Sequence, residues 1–418
     1  MLNDTKAGRL LRWKAGEKPG PWLLTVFPTN ICNLHCKHCW LQGPDGVDAD
    51  KVPEVPDERL LELVDEGREM DVRDWIFIGG GEPLLRGDVI MQMIEKIVDY
   101  GANGTLQANG TLLRSKYAKQ LVDLQWDRVN VSLDGPTEKI NDDIRSAGFK
   151  AAVKNIRYLS GLKKERGVMK PEIGLYTVIH SQNYDKLEDM VELAHDLGCD
   201  GGIQFTTMVL HSDHGKPYVL SEEQAAQVPD HVQKAKQRAE EYGMFNNFDF
   251  YLRHDMIENP NEMNRVDTSV HPNGMGHALC YEPFLAAAIT AQGNMGPCCA
   301  FWDEQSQSIR DMSFEEAWNG PYMTELREQH LVTHELPGYC ARCPSNLFCK
   351  NEIVRADVHA LELAEEWQQL SVIGRVTHVA SKGLSSLRSH GPISALKRGV
   401  EWALINKHSG DELKRVNQ

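Results

Sequence analysis

Residues 22 to 39 decide the fold: Trp22-Leu23-Leu24-Thr25-Val26-Phe27 is a short apolar β-type run, and Cys32-Asn33-Leu34-His35-Cys36-Lys37-His38-Cys39 follows it almost at once. Three thiols thus stand just past a strand end, where parallel α/β folds place their ligand contacts. With three and then two residues between them, they can wrap three corners of a cubane iron-sulfur cluster. Such clusters ordinarily take four cysteines, so one iron is left open. The competing reading is a structural zinc site, with His35 or His38 as a fourth ligand.

Outward from this stretch, apolar runs alternate with helical patterns. Further β-type runs lie at 75–78, 104–108, 128–133, 173–179 and 202–207. Between them, 57–70, 88–100, 115–124, 149–166 and 183–197 repeat apolar residues at helical spacing. Six strands alternating with helices predict βα units and a parallel sheet. The regularity falls off after Met208: a His- and Asp-rich loop at 211–216 leads to a helix over 222–242 and an aromatic stretch at 245–252. Residues 256–278, rich in Asn, Pro, Gly and Met, read as a linker or cover loop.

The strand ends carry further signals. Gly79-Gly80-Gly81-Glu82-Pro83 follows the second strand, where side-chain-free backbone allows a ligand close approach and Glu82 is placed to accept from an ammonium group. Gln107-Ala108-Asn109-Gly110 follows the third, and Val131-Ser132-Leu133-Asp134-Gly135 the fourth, with Arg145 beyond it. In this order the motifs resemble the radical S-adenosylmethionine (SAM) superfamily over residues 20 to 210. The resemblance implies a partial (β/α)6 TIM-like barrel and a [4Fe-4S] cluster on Cys32, Cys36 and Cys39, whose open iron chelates SAM. It also implies that Gly79, Gly80, Gly81, Glu82 and Asn109 line the SAM site, that Ser132 and Arg145 hold the SAM carboxylate or ribose, and that His38 touches the adenine. Ala108 departs from the Thr common in that turn.

A second group of cysteines resembles the SPASM and twitch extensions of the same superfamily. Cys280 and Cys298 flank Ala288-Ile289-Thr290-Ala291 and the turn Gln292-Gly293-Asn294, a predicted β-hairpin that brings both thiols to one side. Cys340-Ala341-Arg342-Cys343 adds a tight pair. A full SPASM pattern needs more cysteines after Cys349 than the sequence has, since Ile353 stands at the next position. The expectation is therefore one auxiliary [4Fe-4S] cluster on Cys280, Cys298, Cys340 and Cys343, with Cys349 or Cys299 as alternates, against a structural zinc module. Cys199 stands alone and reads as a small buried side chain.

The bulk properties set limits. The 418 residues suit a barrel plus an extra module, and 41% hydrophobic with 25% charged residues is a globular composition. A net charge of -15 disfavours a nucleic acid substrate. No apolar run suits a signal peptide or a membrane span, and ten clustered cysteines read as ligands in a reducing compartment, so the cytoplasm is expected. The expected domains are a lead-in (1–21), the barrel (22–243), a cover segment (244–278), the auxiliary cluster domain (279–355) with its hairpin, and a helical basic tail (356–418). That tail carries eight Lys or Arg against three Asp or Glu within 371–418, and packing on an acidic body competes with docking of a partner.

The chemistry implied is reductive cleavage of SAM to a 5'-deoxyadenosyl radical and hydrogen abstraction from a substrate carbon. An auxiliary cluster favours oxidation or bond formation. The substrate is a peptide or a small polar molecule of carbohydrate or aminocyclitol type, and the electron donor a protein such as flavodoxin or ferredoxin. Only 31 residues precede Cys32, too few for a domain that recognises a leader peptide. For a general base, Asp303, Glu304, Tyr281 and His211 are the weak candidates. In SPASM relatives that mature sulfatases an Asp follows the equivalent of Cys298, and here that place is Cys299. The alternative function is an iron-sulfur electron carrier or a zinc-stabilised binding protein.

Overall fold

Each of the six apolar runs forms a strand, with boundaries within two residues of expectation. The computed structural model describes residues 5–39, 41, 53–208, 213–252, 280–299, 306–333, 337, 340, 354 and 357–358. In chain order the main elements are α1 (Lys6–Lys14), β1 (Leu23–Val26), α2 (Asp57–Glu69), β2 (Asp74–Phe77), α3 (Gly87–Asp99), β3 (Asn103–Ala108), α4 (Ser115–Asp123), β4 (Arg128–Ser132), α5 (Glu138–Arg145), α6 (Phe149–Arg166), β5 (Glu172–Ile179), α7 (Leu187–Asp196), β6 (Ile203–Thr207) and α8 (Glu222–Glu241). A second group follows: α9 (Glu282–Leu285), β7 (Ala286–Ile289), β8 (Met295–Gly296), α10 (Phe314–Trp318) and α11 (Pro321–Glu328).

The strands make one sheet, ordered β6-β5-β4-β3-β2-β1-β7-β8, with β1 to β6 parallel in sequence order. This is the mixed α/β, partial-barrel architecture. One face carries Leu24, Val26, Trp75, Phe77, Leu106, Val129, Val131, Leu175 and Phe205 into the core with the apolar stripes of the helices. Helix α3 shows how that stripe arises: Ile90, Met93, Ile94 and Ile97 recur at helical spacing and are wholly buried. The other face of β3 to β6 presents Thr105, Gln107, Ser132, Tyr176, Gln204 and Thr206, all half-buried. Parallel sheets are normally covered on both faces, so this partly open polar face marks a cavity side.

Three features differ from the sequence expectation. Two helices had no periodic signal long enough to announce them: α1, where the Thr5 hydroxyl accepts from Gly8 N at 3.0 Å, and α5, capped by Thr137. Helix α7 starts at Leu187 rather than Asn183, because Asn183 is used in the turn, its side chain accepting from His180 N at 2.8 Å. The hairpin of the second cysteine group extends the same sheet: β7 pairs in parallel with β1, Leu23 against Ala286 and Val26 against Ile289, while β8 returns antiparallel. Ala286 to Ile289 is a short uncharged run buried on both faces, the pattern of an inner parallel strand.

Residues Met1–Ala356 form one compact unit and Asp357–Gln418 another. The basic tail, apart from Asp357 and Val358, and residues 253–279 of the cover segment lie outside the described residues. Among the described residues no helix is long and apolar enough to cross a membrane.

Candidate active site

The loop bearing Cys32, Cys36 and Cys39 leaves the C-terminal end of β1 and is tied down by two neighbouring strand ends and a helix terminus. From the β2 end, Gly81 N donates to Thr29 O at 2.7 Å and Glu82 N to Ile31 O at 2.9 Å. The glycines make this approach feasible: a Cβ on Gly80 would lie 2.0 Å from Asn30 Oδ1, and one on Gly81 would lie 1.9 Å from Ile31 O. The tight approach they serve is therefore that of the chain's own cysteine loop. From the β3 end, Asn109 Nδ2 donates to Asn33 Oδ1 at 2.9 Å, and Asn33 Nδ2 to Thr111 Oγ1 at 2.8 Å. At the α5 terminus, Lys37 N donates to Ile144 O at 2.8 Å and His35 N to Ser146 Oγ at 3.0 Å.

Beneath the loop lie charges that water does not screen. Glu82 is 1% exposed; one carboxylate oxygen accepts from Asn109 N at 2.8 Å and the other from Leu84 N at 3.2 Å. Burial pushes its pKa up to about 7 against the pull of those two amides and of Arg145. Asp134 is fully buried, with Arg145 Nε donating to Oδ2 at 2.6 Å and His38 Nε2 3.6 Å from the same oxygen. Burial alone would raise the Asp134 pKa, but Arg145, His38 and the Val178 amide hold it below the usual carboxylate range.

The thiols face the opposite balance. Burial raises all three: Cys36 goes to about 12, with Cys39 and Cys32 adding to the shift and Arg145 opposing it; Cys32 and Cys39 are raised more modestly. Iron and zinc bind thiolates, and one guanidinium does not offset three. The donor set thus fits a group that brings its own positive charge. Among the described residues no three His, Cys, Asp or Glu side chains are arranged around a single ion. A cubane sets its ligands on separate irons and asks for no such convergence.

The residues expected at the site divide into two sets. Cys32, Cys36, Cys39, His38, Glu82, Asn109 and Arg145 come together at the ends of β1 to β4, with Gly79, Gly80 and Gly81 as the joint. Ser132 lies on β4 and its hydroxyl accepts from Gln107 Nε2 at 2.8 Å. The second set is removed in the chain: Cys280, Cys298, Cys299 and Cys340 are half-buried, and burial pushes Cys340 up to about 11. With Ala288 opposite Gly296, the chain enters β7 from Cys280 and leaves β8 toward Cys298 at the open end of the hairpin, the end next to Leu23. Tyr281 is 1% exposed in the core. Cys343, Cys349, Asp303, Glu304 and His211 lie outside the described residues.

Sequence reasoning missed three participants. Asp134 stands in the motif after β4 but was assigned no role from it. His180, whose Nε2 lies 2.9 Å from Asp134 O, comes from the end of β5 with no local pattern to flag it. Lys37, between two of the cysteines, donates to Tyr218 OH at 2.6 Å, and Tyr218 donates to Asp143 at 3.0 Å, tying the loop to a turn after β6.

Residues 26–194 match the family model of the radical SAM superfamily, and residues 280–344 match SPASM, an iron-sulfur cluster-binding domain. The chain belongs to the radical SAM superfamily. As a radical SAM enzyme with a SPASM-type domain it takes SAM, a [4Fe-4S] cluster and auxiliary iron-sulfur. It is 24% identical over 375 residues to the AdoMet-dependent heme synthase of Oleidesulfovibrio alaskensis, covering 84% of this chain and 83% of that one. It is 30% identical over 179 residues to the mycofactocin maturase MftC of Mycolicibacterium smegmatis, 43% of each chain. The crystal structure of Streptococcus suis SuiB shares the fold, with a TM-score of 0.59 at 13% identity over 77% of this chain and 71% of SuiB.

Proposed function

We propose that this radical SAM chain oxidises, or forms a bond at, an unactivated carbon of a peptide or small polar molecule, in the cytoplasm, with electrons from a protein such as flavodoxin or ferredoxin. The observation that carries the reading is the meeting of three half-buried thiols with Glu82, Arg145 and His38 at the C-terminal end of a parallel sheet. Cys32, Cys36 and Cys39 hold the cluster, and the chemistry it supplies with bound SAM is one-electron cleavage of the sulfonium to a 5'-deoxyadenosyl radical. Arg145 and Ser132 orient the SAM carboxylate or ribose, and His38 meets the adenine. Gly79 to Glu82, with Asn109, set the floor against which the amino acid end lies.

The polar face of the sheet then receives the substrate. Thr105, Gln107, Ser132, Tyr176, Gln204 and Thr206 are neutral donors and acceptors, suited to amide or hydroxyl groups. The barrel (22–243) and the cysteine module (279–355) divide the labour, Cys280, Cys298, Cys340 and Cys343 holding a group that accepts the second electron of an oxidation. Two kinds of relative bear on the substrate in different directions. SuiB has been crystallised with a precursor peptide, SuiA, on the same fold. The likeness to AdoMet-dependent heme synthases over most of both chains favours a second reading, a step in heme synthesis.

Anaerobic reconstitution followed by dithionite reduction tests the function. The wild-type protein is expected to bind about two clusters and to form 5'-deoxyadenosine, and Cys32→Ala is expected to keep the auxiliary iron while losing 5'-deoxyadenosine formation. Iron binding without SAM cleavage in the wild-type protein would leave an electron carrier as the better description.

A further inference from the structure

Asp134 gives up every polar atom to a neighbour. Its carboxylate takes Arg145 Nε at 2.6 Å and Val178 N at 2.8 Å, with His38 Nε2 at 3.6 Å; its carbonyl takes Asn183 Nδ2 at 3.0 Å and faces His180 Nε2 at 2.9 Å; its amide donates to Asn141 Oδ1 at 2.9 Å. The side chain is wholly shielded from solvent, and Arg145 nearly so. The residue therefore joins the ends of β4 and β5, the last turn of α5 and the cysteine loop.

We propose that Asp134 is a positioning residue for SAM, fixing the Arg145 guanidinium in the orientation in which it meets the ligand. This rests on the proposed contact of Arg145 with SAM. The charge is the informative part. To join β4 to β5 a neutral acceptor is enough, because Val178 N needs only one oxygen. Arg145, however, has two sets of acidic groups nearby: Asp134, which it meets at 2.6 Å, and the sulfurs of Cys36 and Cys39. In a weakly screened site the stronger attraction sets the side chain's direction. A full carboxylate at Asp134 draws the guanidinium away from the sulfurs and leaves its remaining N–H groups to bind an anion, while the same oxygen faces the His38 ring.

Asp134→Asn is nearly isosteric, keeps one acceptor for Val178 N, and removes the charge together with the second acceptor, the one that Arg145 uses. In reconstituted holoenzyme under anaerobic conditions, SAM affinity is read by calorimetry and by the change that SAM makes in the electron paramagnetic resonance spectrum of the reduced protein. Asp134→Asn is expected to keep its iron and to bind SAM about tenfold more weakly, as losses of supporting contacts commonly do. Arg145→Gln is expected to weaken SAM at least as much, and the double variant to be no weaker than Arg145→Gln alone. Wild-type affinity in Asp134→Asn overturns the proposal, and so do losses that multiply in the double variant, since a merely structural carboxylate acts independently of Arg145. If Arg145→Gln itself binds SAM normally, the assignment of Arg145 as a SAM contact fails first. Should Asp134→Asn not retain its iron, Arg145→Gln against the double variant decides the matter: equal affinity supports the proposal, a further tenfold loss overturns it.

Discussion

Two buried arginines show how differently the ends of this protein use the same side chain. Arg145 lies at the catalytic end against a carboxylate, with thiols nearby; burial works to lower its pKa, and Asp134 and Cys36 more than restore it. Arg327, on α11, has no carboxylate partner among the described residues, and burial pulls its pKa down to about 9. It lies between Trp13 and Trp318, its guanidinium carbon 4.5 and 4.3 Å from their ring centroids, and donates to Pro283 O and Trp318 O, each at 2.9 Å. At the first site the charge does the work; at the second the planar fork of donors does, and the aromatic faces make the charge tolerable.

The comparison breaks most visibly at Arg327. Replacing it with Leu leaves two buried carbonyls without donors and a gap between two indoles, where α1, α9 and α10 meet α11. A loss of about 4 kcal/mol is expected in urea unfolding of the anaerobically purified protein, with SAM affinity of the folded variant unchanged. A parallel loss of SAM affinity would mean that the joint and the catalytic end are one cooperative structure rather than two separable ones.

Resemblance placed Arg145 at the ligand, but its pairing with Asp134 and the whole role of Arg327 were not legible in the sequence, although much around them was. The strands and most helices could be read because alternation and helical spacing are local. The first cysteine loop could be read because its three ligands and the glycine turn each lie within a few residues. Asp134 pairs with a residue eleven positions away, across a helix that had no period to announce it. Arg327 meets Trp13 across most of the chain, and β7 joins β1 although more than 250 residues separate them. Such contacts are set by topology, and a single sequence carries no trace of register between distant strands. The same limit hid the second reason for Gly80 and Gly81: the atoms a Cβ there would meet, Asn30 Oδ1 and Ile31 O, belong to a loop from another strand end.

Glu82 sharpens the contrast at the catalytic end, because its carboxylate accepts from amides alone while Asp134 meets a guanidinium. Its folded pKa of about 7 lies above the reference value of 4.5, so the protonated form is favoured by folding. Its contribution is fully present below pH 4.5 and is lost as pH rises through 7. Between pH 5 and pH 8 the wild-type protein is therefore expected to lose about 3 kcal/mol relative to Glu82→Gln, which cannot ionise. The difference in stability between the two, followed by anaerobic urea unfolding across that range, is the measurement; a constant difference would show that bound groups or solvent neutralise the carboxylate.

The smallest effect is expected where the two cysteine regions touch. Asn30, two residues before Cys32, donates from Nδ2 to Gln292 Oε1 at 3.1 Å, and Gln292 lies in the turn between β7 and β8. Thr29 Oγ1 and Asn30 N both donate to Glu54 Oε1 at 2.8 Å, so the loop's approach to the first thiol is already anchored on its own side. Removing one neutral hydrogen bond there, with Gln292→Leu, leaves Asn30 short of one buried acceptor and should cost about 1 kcal/mol. Iron content and SAM affinity are expected to stay at wild-type values, because the tethers from Gly81, Glu82, Asn109 and Ile144 are untouched. If Gln292→Leu instead loses iron from the first site, the hairpin is part of what shapes the cysteine loop, and the two regions hold their clusters jointly rather than each on its own scaffold.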